Sequence, residues 1–186
     1  MKFTKAIIQG IVVIEPTVLG DQRGYFLESF NKNVFEKAIG KVSFVQDNES
    51  RSSKGVLRGL HYQKPPFAQA KLVRCVEGEV LDIAVDIRND SPTYGLYHSD
   101  VLSGENKKQL FIPRGFAHGF VVLSDTAVFA YKVDNTYAKD FEAGIQWNDK
   151  KLGIDWGLKE SEILISDKDD QLPLFSEFKS PFKLML

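Results

Sequence analysis

Three histidines, one lysine set among apolar residues, a lone tyrosine in a strand-like run and a knot of aspartates are the residues of this chain that invite chemistry. They are densest in Gly55-Val56-Leu57-Arg58-Gly59-Leu60-His61-Tyr62-Gln63, closely followed by Ala70-Lys71-Leu72-Val73-Arg74. Imidazole takes up a proton near neutral pH, and lysine and arginine hold anions. A proton acceptor beside an oxyanion stabiliser is the pairing required to remove a proton next to a carbonyl.

Each residue also has a plainer reading. A lone histidine is more often a satisfied core residue than a catalyst, and His98, in Tyr97-His98-Ser99-Asp100, keeps that reading. His118 lies in Gly115-Phe116-Ala117-His118-Gly119-Phe120, a glycine-bounded turn feeding a strand, where backbone can approach a ligand closely. Both readings stay open for it. A compact metal site would want a second histidine two residues after His61, and Gln63 stands there, so no metal is expected. Tyr131 alternates like a core strand residue, yet a phenol in a pocket would donate a proton to a carbanion from the face opposite a base. The segment Ile165-Ser166-Asp167-Lys168-Asp169-Asp170-Gln171-Leu172-Pro173 reads by itself as a solvent loop. It also offers carboxylates, and a histidine base needs one to orient it.

The elements that must position these residues are strands. Leu81, Ile83, Val85 and Ile87 alternate with Asp82, Ala84 and Asp86. Short β-branched and aromatic runs recur at 7–14, 25–30, 42–46, 72–76, 109–112, 120–123 and 128–133, separated by Gly, Pro, Asn, Asp and Ser turns. One helix is predicted over 33–39, entered from Asn31 and stopped by Gly40. Residues 160–165 fit a helical turn or a strand, and 180–186 fit a short tail packed on the barrel. The pattern predicts one all-β domain over 1–186, a sandwich or barrel.

Composition narrows the partners. A hydrophobic fraction of 43% supplies a sizeable core, and a net charge of −1 gives no global attraction to a nucleic acid polymer or an anionic membrane. The one cysteine, Cys75, has apolar flanks and reads as a buried thiol. No signal peptide or membrane-length apolar run is visible, so a soluble, cytoplasmic chain is expected.

Taken in order, these segments resemble the dTDP-4-dehydrorhamnose 3,5-epimerases, a family of cupin-like sugar-nucleotide epimerases. The resemblance runs through Val13-Ile14-Glu15-Pro16, Gly20-Asp21-Gln22-Arg23-Gly24-Tyr25-Phe26-Leu27-Glu28 and Gln46-Asp47-Asn48-Glu49-Ser50. It continues through the His61 and Lys71 segments, Val85-Asp86-Ile87-Arg88-Asn89-Asp90-Ser91-Pro92-Thr93, the His118 segment, Tyr131-Lys132 and residues 166–173. It implies a jelly-roll, cupin-type β-barrel with a few short helices.

It also implies roles. His61 would be the base that removes the proton α to the C4 ketone of a dTDP-4-dehydro-6-deoxyhexose. Asp169 would orient His61, although Asp170 is adjacent and only the spacing to Pro173 separates the two. Lys71 would stabilise the enolate oxygen, and Tyr131 would return a proton on the opposite face. Arg23, Arg58 and Lys168 would hold the diphosphate or nearby sugar oxygens. Phe26, Glu28, Gln46 and Asn48 would contact the thymidine end, and His118 and Glu142 would line the sugar pocket. The family further implies a homodimer in which the Arg23-to-Glu28 segment completes the neighbour's site. No cofactor is expected, since the ketone supplies the acidity and no glycine-rich dinucleotide fingerprint is present. The setting implied is L-rhamnose supply for surface polysaccharide. One departure stands out: Ala70 precedes Lys71 where the family usually has glycine. The other readings are a C3-only or C5-only epimerase, a non-catalytic sugar-nucleotide-binding cupin, and a metal-dependent cupin isomerase or oxygenase.

Overall fold

Alternating sequences build strands with two distinct faces, and in this chain both faces of the central strands are covered. A computed structural model describes residues 1–184. In chain order the first strands are β1 (Lys2–Lys5), β2 (Val12–Glu15), β3 (Val18–Asp21), β4 (Gly24–Leu27), β5 (Gln46–Ser53) and β6 (Leu57–Gln63). There follow β7 (Lys71–Glu77), β8 (Glu79–Asp86), β9 (Tyr97–Ser103), β10 (Gln109–Ile112), β11 (Phe116–Val122), β12 (Thr126–Val133) and β13 (Glu142–Gly144). Two short helices, α1 (Lys32–Ala38) and α2 (Asp167–Asp170), complete the regular structure.

The strands form a six-stranded sheet, β1-β2-β10-β7-β12-β5, and a five-stranded sheet, β13-β6-β11-β8-β9, while β3 and β4 make a separate hairpin. Every pairing within these sheets is antiparallel. This is the expected all-β jelly roll. Val73, Cys75, Val80, Ala84, Leu110, Phe120 and Phe129 fill the space between the sheets. A second core lies on the outer face of the five-stranded sheet, where Ile83, Val85 and Ala117 are covered by Trp147, Trp156, Phe175 and Phe182 of the C-terminal segment. On the outside of the six-stranded sheet, α1 drops Phe35 between Phe30, Phe44 and Phe111, with ring centroids 5.4–5.6 Å apart. Asn31 caps that helix, its side-chain oxygen accepting from the Val34 N–H at 3.2 Å, as its sequence position suggests.

The structure corrects several strand boundaries. The apolar run 7–14 is not one strand, because the chain turns at Gly10, whose φ of +103° suits glycine, and Ile8 and Ile11 drop into the core between the sheets. A Cβ at Gly10 would also lie 2.8 Å from the Pro113 ring. The run 25–30 stops pairing at Leu27, and 42–46 joins no ladder until β5 begins at Gln46, preceded only by the Val45 N–H donating to the Val133 carbonyl at 2.9 Å. β5 itself, Gln46-Asp47-Asn48-Glu49-Ser50-Arg51-Ser52-Ser53, has no apolar alternation. It is an edge strand, paired only with β12, and borders a polar cavity, so no hydrophobic face is demanded of it. Residues 160–162 form a 3₁₀ turn. Of the predicted tail, Phe182 is buried against Tyr62 at 5.9 Å, and residues 185–186 lie outside those described. Among the described residues no helix is long and apolar enough to cross a membrane.

Candidate active site

Strand β6 carries His61, and its pairing with β11 sets His61 directly beside His118. The two strands can lie this close only because Gly59, at φ +142°, faces Gly119: a Cβ on Gly59 would come within 2.5 Å of the Gly119 Cα. His118 is therefore a strand residue inside β11, not part of the preceding turn, and it is buried.

The late acidic segment is not a solvent loop. Ser166 caps α2, and the helix turns the buried Asp169 onto His61, with Asp169 Oδ1 2.8 Å from His61 Nε2. Asp170 turns away toward the Trp147 indole N–H, 3.5 Å off, so geometry separates the two aspartates. Burial works against the Asp169 charge, but the hydrogen bond and charge of His61, with the Gly59 N–H 3.4 Å from Oδ2, hold its carboxyl below the ordinary range. An ionised carboxylate only accepts, so Nε2 of His61 carries the hydrogen and Nδ1 is left as the basic nitrogen.

The opposite sheet contributes Lys71 from β7 and Tyr131 from β12, with Lys71 Nζ 5.9 Å from the tyrosine ring centroid. Burial lowers the Lys71 ammonium to about 8, with the charges of Asp82 and then Glu142 pulling it back up. Burial also raises the Tyr131 phenol, so it keeps its proton at neutral pH. Ala70 takes no positive φ and donates its N–H to Asp134 Oδ1 at 2.6 Å, so its methyl group leaves Lys71 undisturbed.

His61, Lys71, His118, Tyr131, Asp169, Arg58, Glu142 and Lys168 line one cavity of about 330 Å³. An adjoining cavity of about 140 Å³ shares His61, Lys71, Tyr131 and Glu142 and adds Gln46, Asn48 and Tyr137. Glu142 stands between these cavities, its Oε2 accepting from Lys168 Nζ at 2.7 Å and from the Tyr137 hydroxyl at 2.8 Å. Burial opposes its charge, yet those two hydrogen bonds hold its carboxyl below the ordinary range. Arg58 Nε donates to Ser52 Oγ at 3.1 Å, and the Gln46 amide donates to Asn48 at 2.8 Å.

Gln63, at the position a metal-binding histidine would occupy, spends its amide on two loops. It donates to Phe67 and Thr136 carbonyls at 2.7 and 3.1 Å and accepts from the Ala138 N–H at 2.7 Å. Among the described residues no three His, Cys, Asp or Glu side chains gather as a metal site.

Arg23, Phe26 and Glu28 are not brought to this cavity. Arg23 stands at the hairpin tip, 91% exposed and paired with Asp21. Phe26, 69% exposed, borders a separate depression with Tyr25, Arg74 and Lys107. Glu28 accepts from Asn31 at 3.1 Å. Two residues were passed over in the sequence. Tyr137 gave no signal there. Asp82 was visible on the polar side of β8, but that side turned out to face the barrel interior.

A family model described as dTDP-4-dehydrorhamnose 3,5-epimerase matches residues 5–177, nearly the whole jelly roll and both halves of the site. The chain belongs to this epimerase family. A family member from Shigella flexneri, named dTDP-4-dehydrorhamnose 3,5-epimerase, is 59% identical over 170 residues, covering 91% of this chain and 93% of its own. A relative of the same name from Pseudomonas aeruginosa is 53% identical over 178 residues, covering 95% of this chain and 97% of its own. A crystal structure of the 3,5-epimerase from Legionella pneumophila, solved with dTDP-4-keto-L-rhamnose, superposes with a TM-score of 0.95. It is 46% identical and covers 100% of this chain and 99% of that one.

Proposed function

We propose that the protein is a dTDP-4-dehydrorhamnose 3,5-epimerase that converts dTDP-4-dehydro-6-deoxy-D-glucose to dTDP-4-dehydro-L-rhamnose. The observation that carries this reading is the placement of a histidine–aspartate pair and a protonated tyrosine on opposite sheets facing one cavity, with a lysine beside the tyrosine.

His61 Nδ1 removes the proton from C3 or C5, and Asp169 bears the imidazolium that results. The electron pair of the broken C–H bond moves into the ring, and the C4 oxygen becomes an enolate. Lys71 meets that oxygen with a positive charge in a poorly hydrated site, where it counts for more than in water. Tyr131 then protonates the same carbon from the face opposite His61, which inverts the centre, and solvent restores both groups. C3 and C5 both flank the ketone, so one set of residues serves both. Substrate and product are isomers, and no electron acceptor enters the balance.

Arg58 and Lys168 take the diphosphate, Gln46 and Asn48 the thymidine end, and His118 and Glu142 the sugar hydroxyls. Arg23, Phe26 and Glu28 act on the partner's site of a homodimer, reached by the exposed β3–β4 hairpin. The setting is cytoplasmic supply of an activated deoxysugar.

The test is incubation with dTDP-4-dehydro-6-deoxy-D-glucose, with the ring configuration read by NMR. Inversion at both C3 and C5 is expected. Inversion at one centre would make the protein a mono-epimerase, and none, from protein that binds dTDP, would remove the activity altogether.

A further inference from the structure

The interior face of β8 holds a charged side chain that this mechanism does not use. Asp82 is fully buried and points between the sheets among Val80, Ala84 and Phe120. Its Oδ2 lies 2.9 Å from Nε2 of His118, which is also buried and stacks on Phe129. Its other oxygen, Oδ1, is out of reach of solvent and has no hydrogen-bond partner among the described residues. A carboxylate left half-paired in an apolar interior is costly, and nothing in the folding of the barrel calls for one here. Lys71 lines the same cavity as His118 and has no ion pair among the described residues, and Asp82 is first among the charges that act on it.

We propose that Asp82 is a positioning residue of the reaction: one carboxylate oxygen fixes His118 as the Nε2–H tautomer, and the other draws the Lys71 ammonium toward the oxyanion. The cavity then rests on two imidazole–carboxylate pairs set side by side on β6 and β11. His61–Asp169 moves a proton. His118–Asp82 fixes the opposite requirement, an imidazole that stays neutral and offers Nδ1 as an acceptor to a sugar hydroxyl. Burial does push the His118 imidazolium down, outweighing the pull of Asp82, in keeping with a neutral ring. Burial likewise pulls Lys71 down to about 8, and Asp82 is first among the charges that keep it protonated. The other titratable and charged groups sharing the cavity with Lys71 are Glu142 on β13, Tyr131 on β12, His61 and Arg58 on β6, His118 on β11, Glu49 on β5, and Lys168 and Asp169 on α2. Of the two carboxylates acting on Lys71, Glu142 is already engaged by Lys168 and Tyr137, whereas Asp82 keeps one oxygen free.

The inference rests on the epimerase reading for its role in turnover, but its electrostatic part is measurable without substrate. The experiment compares wild type with Asp82→Asn in two ways. Titration of Lys71, followed by NMR of its side chain in the free protein, should show a lower midpoint in the variant. In turnover, the variant should lose between about 10- and 100-fold in kcat, as for other outer partners of a reactive group. The basic limb of its pH profile should move to lower pH, and dTDP affinity should be unchanged. A folded variant with wild-type kcat and an unmoved Lys71 midpoint would overturn the proposal. If Asp82→Asn does not fold, ¹⁵N NMR of His118 in the wild-type protein decides. An Nε2–H tautomer that persists from pH 6 to 9 supports the proposal, and an Nδ1–H tautomer or a charged ring overturns it. Wild-type protein inactive on the sugar nucleotide would fault the epimerase reading alone, because the Lys71 and His118 measurements would still stand.

Discussion

In the proposed mechanism His61, Lys71 and Tyr131 divide one proton transfer among three side chains, so their substitutions are expected to differ in kind. Lys71→Ala should lower turnover by roughly 10²–10³, the usual cost of losing an oxyanion donor, with the fold intact by circular dichroism. Lys71→Met should be as inactive but more stable, by about 1–3 kcal/mol at pH 7 in urea unfolding. The sign follows from the lowered pKa of the lysine. Folding below pH 8 buries a charge at a cost, and that cost fades as pH rises from about 8 to 10.5, where the unfolded chain also loses the proton. The stability gap between Lys71→Met and wild type should therefore narrow over that range. Tyr131→Phe should still exchange ring hydrogens with solvent while inverting them far more slowly, because the base remains and the opposite-face acid does not. At this scale the sequence was informative about residue types. It named His61, Lys71 and Tyr131, but it could not choose between Asp169 and Asp170 by contact. That choice is made by the capped turn of α2, which aims one carboxylate at His61 and its neighbour at Trp147.

The elements that hold these residues depend on close backbone approach. Gly59 faces Gly119 where β6 meets β11, and this approach puts His61 and His118 in register. Gly59→Ala should destabilise the protein by ~1–3 kcal/mol, from overpacking and an unfavourable φ, and should lower activity in the folded fraction by shifting His61. Thermal unfolding and specific activity check the two effects separately. Strands whose two faces differ in polarity, such as β8 and β12, were legible from alternation. The edge strand β5 was not, since an edge strand beside a polar cavity need not present an apolar face. The same blindness hid Asp82: alternation reports that two faces differ, and it is silent on whether the polar one meets water or a second sheet.

At the scale of the whole molecule, the β3–β4 hairpin is the part left unexplained by a single chain. Its four-residue strands are exposed almost throughout, and it carries Arg23 and Phe26 away from the cavity. Cross-subunit completion makes a clear prediction. A mixture of His61→Ala protomers and Arg23→Ala/Phe26→Ala protomers, each nearly inactive alone, should regain activity when exchanged into mixed dimers. One site there would pair an intact His61 with an intact hairpin. No recovery in verified mixed dimers would place the hairpin on its own subunit's site. A β sandwich or barrel was legible from many short strands joined by turns, while the jelly-roll form and the proposed division of the site between chains were supplied by family resemblance.

The most direct test of the central claim is hydrogen exchange at the sugar. Incubated with dTDP-4-dehydro-6-deoxy-D-glucose in D₂O, the wild-type protein should place deuterium at both C3 and C5 with both centres inverted. His61→Asn, folded and binding dTDP, should place it at neither. Wash-in by the His61 variant at the wild-type rate would contradict the assignment of the base and with it the mechanism built on the His61–Asp169 pair.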